Sequence, residues 1–262
     1  MGVDVEDVDG DGLPELLVTN FRGQYDTLYH NIDGHNFEDV TARAGTVKDT
    51  RPGVGWGCAL ADFDNDTFPD MLIVNGEVDD NLERLGQNVG FAQEAFVWRN
   101  QGKGTFRRVR SAGSFFNELH AARGAAFGDL NNDGKLDAIV VRLDRPPAIL
   151  LNESDAGRWV RLELVGHRSN RSGIGAVVSV HLGDRILTRQ AKGGGSYLSA
   201  NDPRLLIGLG TVDHADRIEV RWPSGARSTL LAPESGRTHR VDEPSDPPPA
   251  VAGQGGREER SK

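Results

Sequence analysis

Three nine-residue stretches of this 262-residue chain place oxygen-bearing side chains at positions 1, 3, 5 and 9. Loop one supplies Asp7, Asp9, Asp11 and Glu15, and loop two supplies Asp62, Asp64, Asp66 and Asp70. Loop three supplies Asp129, Asn131, Asp133 and Asp137. Alternate carboxylates in a tight loop, joined by the backbone carbonyl of position 7 (Leu13, Phe68 and Lys135), set about six oxygens around one hard cation, and calcium fits that set. Asp, Asn and Gly also gather in ordinary turns. Three copies in register are what turn the pattern toward a cation.

The first five positions match an EF-hand loop, which needs a bidentate Glu at position 12 and a helix on either side. Position 12 is Val18, Ile73 and Val140, and each loop runs into a short apolar segment that reads as a buried strand. The acid at position 9 stands in for the missing Glu, so the pattern predicts a calcium turn between two strands. The sites are expected to be graded. Loop three has neutral Asn131 in place of a carboxylate, and loop two has Thr67 where the others have Gly12 and Gly134. A β-branched residue disfavours a positive φ at that turn position. Loop one is therefore expected to be the tightest.

The elements around the loops repeat with them. A glycine precedes each first Asp by five residues, at Gly2, Gly57 and Gly124, and Asn31, Phe37 and Val40 recur at the same offsets as Asn100, Phe106 and Val109. Turn residues between the latter groups predict a β-hairpin. One unit is then strand, loop, strand and hairpin, which is the make-up of a propeller blade. The wider second spacing has an insert from Glu77 to Ala95, expected to form a short helix. The third unit degenerates after Asn152.

These residues resemble the FG-GAP or VCBS-type calcium repeat of integrin-like propellers and secreted bacterial proteins. Leu60 to Asp66 and Trp98 to Phe106 look like the two halves of that repeat. The resemblance implies calcium on the loop acids and blades that form a recognition platform. The expected fold is all-β: a partial β-propeller of about 2.5 to 3 blades over residues 1–156. A closed propeller needs about four to eight blades. The sequence is therefore expected to be the C-terminal part of a longer protein, its missing N-terminal blades being a partner of those present; the alternative is that Met1 is the true start and the blades close by oligomerisation.

Beyond Asp155 the acidic loops stop and alternating segments such as Trp159 to Leu164 and Arg217 to Trp222 predict half-exposed strands of a sandwich or small barrel over 157–242. Asn170 to Ala176, Gly194 to Ser199, Gly208 to Gly210 and Val220 to Gly225 resemble the ASPIC/UnbV domain, which follows FG-GAP repeats in relatives of cartilage acidic protein. That resemblance implies architecture and no particular catalysis. Asn170, Arg171, Ser196 and Tyr197 are read as turn residues in preference to a ligand surface. Trp159 and Trp222 are read as core. Residues 243–262, rich in Pro, Gly and charge, read as a disordered tail.

The net charge is −9 and the three loops hold eleven carboxylates. Three bound divalent ions would bring the balance to about −3, and an acidic chain argues against nucleic acid. The single cysteine, Cys58, is expected to be buried, and it supplies no disulfide framework. An extracellular, periplasmic or cell-surface setting is inferred from weak calcium sites, which fill at millimolar calcium. No signal peptide or membrane span is visible. The glycosylation sequons at Asn65, Asn152 and Asn170 are short enough to arise by chance, and the first lies inside loop two. No HExxH, GxSxG, P-loop or strand-placed GxGxxG occurs. The expectation is a calcium-stabilised, non-catalytic recognition or adhesion module with a protein or glycan ligand. A catalytic or accessory role in a biosynthetic or glycan-processing propeller is the competing one.

Overall fold

A computed structural model describes residues 1–82, 84–143 and 145–245. The first unit is a four-stranded antiparallel meander of β1 (Val3–Glu6), β2 (Glu15–Val18), β3 (Thr27–Asn31) and β4 (Phe37–Asp39). Two single-turn helices, α1 (Thr41–Ala44) and α2 (Val47–Thr50), lead to β5 (Gly55–Ala61) and β6 (Asp70–Asn75). After the insert come β7 (Gln93–Glu94), β8 (Phe96–Asn100) and β9 (Phe106–Arg108), and the second meander runs β5-β6-β8-β9. β10 (Leu119–His120) pairs with β7. The third sheet is β11 (Ala122–Gly128), β12 (Asp137–Arg142) and β13 (Ala148–Leu150). Each acidic loop is the turn between the first two strands of its sheet. The hairpins pair Asn31 with Phe37 and Asn100 with Phe106, as the repeat predicted.

The second sheet is apolar on both faces because it lies between the other two. Cys58, Leu60, Met71, Ile73, Phe96 and Trp98 pack on Leu17, Leu28 and Val8 of the first unit. From the alternate positions, Ala59, Leu72 and Val74 pack on Ala125, Phe127 and Val140 of the third. Period-two alternation thus feeds two cores from one sheet, and every residue of β6 is buried. The repeated glycines let the innermost strands meet. A Cβ on Gly2 would lie 2.2 Å from the Trp56 carbonyl, and one on Gly57 would lie 2.7 Å from the Ala125 nitrogen.

The remaining strands are β14 (Arg158–Val165), β15 (Val177–Leu182), β16 (Arg185–Gln190), β17 (Leu205–Gly210), β18 (Arg217–Arg221), β19 (Arg227–Leu231) and β20 (Arg237–Asp242). They form two sheets, β17-β14-β20 and β16-β15-β18-β19, the first joined by a parallel β14/β20 pair. Their core is drawn wholly from residues 160–241 and holds Trp222 at 1% exposure.

Among the described residues the molecule is all-β, with a propeller arrangement of five sheets of three or four strands. That count differs from the 2.5 to 3 blades expected from the acidic loops. The loops mark only three of the sheets, and the other two come from the loop-free C-terminal residues. The insert also departs from expectation. No helix forms among its described residues, where Gly76 bridges to Ala92 and Gly86 sits at φ +77°. Gly86 and Gly90 make a poor helix interior. Among the described residues the third sheet has three strands, matching the degeneracy after Asn152. Of the expected tail, Glu243 is buried and bonded, and residues 246–262 lie outside the described ones. Among the described residues no helix is long and apolar enough to cross a membrane.

Candidate metal centres in the blade loops

The three loops share one backbone. Positions 4 and 6 are left-handed in each: Gly10 and Gly12 at φ 81° and 91°, Asn65 and Thr67 at 54° and 86°, Asn132 and Gly134 at 61° and 84°. This curl aims successive amides inward. The position-1 carboxylate accepts the position-6 N–H in every copy, Asp7 from Gly12 at 3.1 Å, Asp62 from Thr67 at 2.8 Å and Asp129 from Gly134 at 2.9 Å. The position-5 carboxylate accepts the position-7 N–H, Asp11 from Leu13, Asp66 from Phe68 and Asp133 from Lys135.

Position 9 ties the loop to the next strand. Glu15 accepts the N–H of Val8 and of Asn31, Asp70 those of Phe63 and Asn100, and Asp137 those of Leu130 and Asn152. Asn152 therefore performs in the shortened third unit what Asn31 and Asn100 perform in the first two. Two of these asparagines also staple units together. The Nδ2 of Asn100 donates to the Val8 carbonyl of loop one at 2.8 Å, and that of Asn152 donates to the Phe63 carbonyl of loop two at 2.7 Å.

The donors converge unequally. In loop one, ligand atoms of Asp7, Asp9 and Glu15 lie within 4.8 Å of one another, as do those of Asp9, Asp11 and His30. In loop two, Asp62, Asp64 and Asp66 meet the same limit. Among the described residues, no three acids or histidines of loop three meet that limit, since its third position is Asn131, whose amide holds Asp133 at 3.0 Å, and Lys135 Nζ stands 3.7 Å from the same carboxylate. Burial pushes Asp62 up to about 7 and Asp70 up to about 8, and it raises Asp7, Glu15 and Asp64 above the ordinary carboxylate range. Asp64 Oδ1 is buried with no hydrogen-bond partner. Clustered acids that resist ionisation, together with an orphaned carboxylate oxygen, fit a divalent cation, which would supply the missing charge and fill the lone pairs.

Thr67 adopts the positive φ that the sequence argument held against it. The left-handed region costs a β-branched residue roughly 1–2 kcal/mol. Arginines of the C-terminal strands hold Thr67 there: Arg185 donates to its hydroxyl at 2.9 Å and Arg189 to its carbonyl at 3.0 Å. Gly134 is fixed for a second reason, since a Cβ would fall 1.9 Å from the Trp159 ring. Trp159 is accordingly only partly buried and packs on loop three, outside the core expected for it. It was expected inside because an alternating strand gives no sign that its outward face meets another unit.

Side chains from outside the loops complete their surroundings. Arg161 Nη1 lies 2.7 Å from Asp129 Oδ2, both groups being buried, and Lys192 Nζ lies 2.8 Å from Asp4. His30 Nδ1 lies 3.0 Å from Glu15 Oε1, and Arg99 Nη2 lies 2.7 Å from Asp64 Oδ2. Sequence reasoning missed these groups. His30 and Arg99 were detectable, since each precedes the aligned asparagine by one residue. Arg161 and Lys192 carried no such signal.

Other sequence candidates resolve as structural. Asn170 closes its own turn through two bonds to Ile174, Ser196 Oγ accepts the Cys58 N–H at 2.8 Å, and Tyr197 packs edge-on against Trp56. Cys58 is buried and its thiol is pushed up to about 12 by that burial. Asn65 is 1% exposed and bonds the Gly134 carbonyl, so its sequon is closed to modification in the folded chain.

Residues 7–73 and 88–140 match the FG-GAP-like repeat, and residues 166–248 match the domain described as ASPIC and UnbV. No curated protein gives a significant match. Loop-bearing blades followed by the loop-free pair of sheets are the structural counterparts of these two matches, and the chain is an FG-GAP-like repeat protein with a C-terminal ASPIC and UnbV domain.

Proposed function

We propose that this protein is a calcium-stabilised, non-catalytic recognition module that works outside the cytoplasm, with calcium in the blade loops as a structural ion. The convergence of Asp7, Asp9 and Glu15, and of Asp62, Asp64 and Asp66, within 4.8 Å carries the reading. In loop one Asp7, Asp9, Asp11 and Glu15 would hold the ion, with the Leu13 carbonyl. In loop two the ligands would be Asp62, Asp64, Asp66 and Asp70 with the Phe68 carbonyl. Loop three, with Asp129, Asn131, Asp133, Asp137 and the Lys135 carbonyl, would bind most weakly, because Asn131 leaves it one carboxylate fewer and Arg161 and Lys135 answer the charge of two of the rest. A bound ion would lock each turn and so fix the strands that present the exposed loops to a protein or glycan ligand. FG-GAP proteins are typically extracellular or surface-exposed, where millimolar calcium fills weak sites. Chelation is expected to lower the melting temperature by several degrees, and the triple variant Asp7→Ala, Asp62→Ala, Asp129→Ala should lose that response. An unchanged melting curve for the intact chain in excess chelator would overturn the reading.

A further inference from the structure

The aligned units place a different residue immediately before the anchoring asparagine of each loop: His30, Arg99 and Leu151. In loop two this residue is a permanent cation, with Arg99 Nη2 2.7 Å from Asp64 and 2.9 Å from Asp66. A guanidinium has no acceptor lone pair and cannot ligate a metal, so it answers the acids only as a counter-charge. In loop one the same place holds an imidazole. Its Nδ1 is 3.0 Å from Glu15 Oε1 and 3.3 Å from Asp9 Oδ2, and it shares a 4.8 Å neighbourhood with Asp9 and Asp11. Neutral imidazole is a metal ligand, and which nitrogen binds is set by the hydrogen bond the other makes.

Calcium takes six to eight oxygens and gains little from a nitrogen, whereas zinc takes about four N or O donors at roughly 2.0–2.2 Å. We infer that loop one is a mixed nitrogen–oxygen centre that also accepts a borderline divalent transition ion, zinc foremost, with His30 Nδ1, Asp9 and Asp11 as its donors. In loop two Arg99 stands where His30 stands and supplies no donor, and Leu151 brings loop three none. The inference rests on the reading of these loops as cation sites and adds to it a selectivity set by one third-strand residue. Zinc and calcium then compete for loop one, so the first blade responds to transition-metal availability while the second does not.

The test uses the full chain stripped of divalent ions and titrated calorimetrically with zinc alone and with calcium alone, as wild type, His30→Leu and His35→Leu. His35 is exposed nearby and serves as the control. Losing even an outer partner of a metal ligand typically costs about 10–100-fold in affinity, so His30→Leu should weaken zinc binding at least about tenfold. Its calcium affinity should stay within about threefold, since the oxygen set of the hard-cation site is intact. His35→Leu should match wild type. Should His30→Leu fail to fold, the imidazole nitrogen resonances of His30 in the wild-type chain serve instead and should shift on zinc addition. Equal zinc affinity in wild type and His30→Leu, or zinc binding that leaves the His30 resonances unmoved, overturns the inference and leaves the calcium reading standing. Failure of calcium to bind, with zinc binding still dependent on His30, removes the calcium reading and supports the inference.

Discussion

Asp26 shows at the scale of one residue how this fold tolerates a buried acid outside its loops. It is 3% exposed, its Oδ1 accepts the Asn20 N–H at 2.6 Å, and its Oδ2 has no hydrogen-bond partner. Gly55 of β5 presses on it, since a Cβ there would stand 2.6 Å from Oδ1. Burial pushes the carboxyl up to about 7. The folded state therefore holds a proton that the unfolded chain releases near pH 4. This contribution to stability is complete below that pH and is lost as the pH rises through about 7. Asp26→Asn keeps the shape and removes the titration. It should melt higher than wild type at pH 8, and the gap should narrow or reverse at pH 5, when both are scanned at fixed calcium. Parallel shifts at the two pH values would show that Asp26 does not titrate in this range. Glu243 has the opposite sign. Burial works against its ionisation, yet the Ser224 hydroxyl and the N–H groups of Ser169, Arg168 and His167 hold it at about 2, so its contribution is present at neutral pH and lost only on strong acidification.

Between strands, the loop and the anchoring asparagine act as one part. Asn100 is 2% exposed and its Nδ2 reaches two carbonyls, Pro69 in its own unit and Val8 in the preceding one, while its Oδ1 accepts the Gly102 N–H. Asn31 makes the corresponding bonds to Pro14 and Gly34 within its own unit. A buried group left without its partner costs about 1–3 kcal/mol, so Asn100→Ala should destabilise by about 2–4 kcal/mol and Asn31→Ala by about half as much. Urea unfolding of both variants checks this, and equal losses would mean that the contact between units carries no weight. This asparagine was legible in the sequence because it recurs at a fixed offset, as were the loops, the hairpin pairing and the glycines of the inner strands. The reason for those glycines, close approach of a neighbouring unit's strand, was not legible, since periodicity describes a strand and not what lies against it. The insert misled in a similar way: its acidic, leucine-bearing composition reads as helical, while its glycines and the Gly76 bridge decide otherwise.

At the scale of the whole molecule, the C-terminal sheets pack on the strands and loops of the repeats through buried charge. Arg161 holds Asp129, Lys192 holds Asp4, and Arg185 and Arg189 grip Thr67, while backbone N–H groups of Gly157 and Gly210 donate to Asp64 and Asn65 of loop two. These partners stand tens to more than a hundred residues apart and fall in no repeat, so only the folded chain brings them together. Arg161 is 7% exposed and bonds both Asp129 and the Thr238 hydroxyl at 2.8 Å. Removing one member of a buried pair strands the other charge and costs about 3–5 kcal/mol, whereas replacing both is often nearly neutral. Arg161→Leu should therefore destabilise the chain strongly in chelator, and Arg161→Leu with Asp129→Leu should recover much of the loss. Calcium adds a second discriminating arm. The unpaired Asp129 of Arg161→Leu is a carboxylate set free to ligate, so this variant should gain more melting temperature from calcium than wild type does. The double variant, which lacks that carboxylate, should not. A single variant no more calcium-responsive than wild type would show that Arg161 binds the two units together without competing for the ion. A larger response would make Arg161 the built-in cation of loop three, and the docking of the C-terminal domain the event that keeps calcium from that loop.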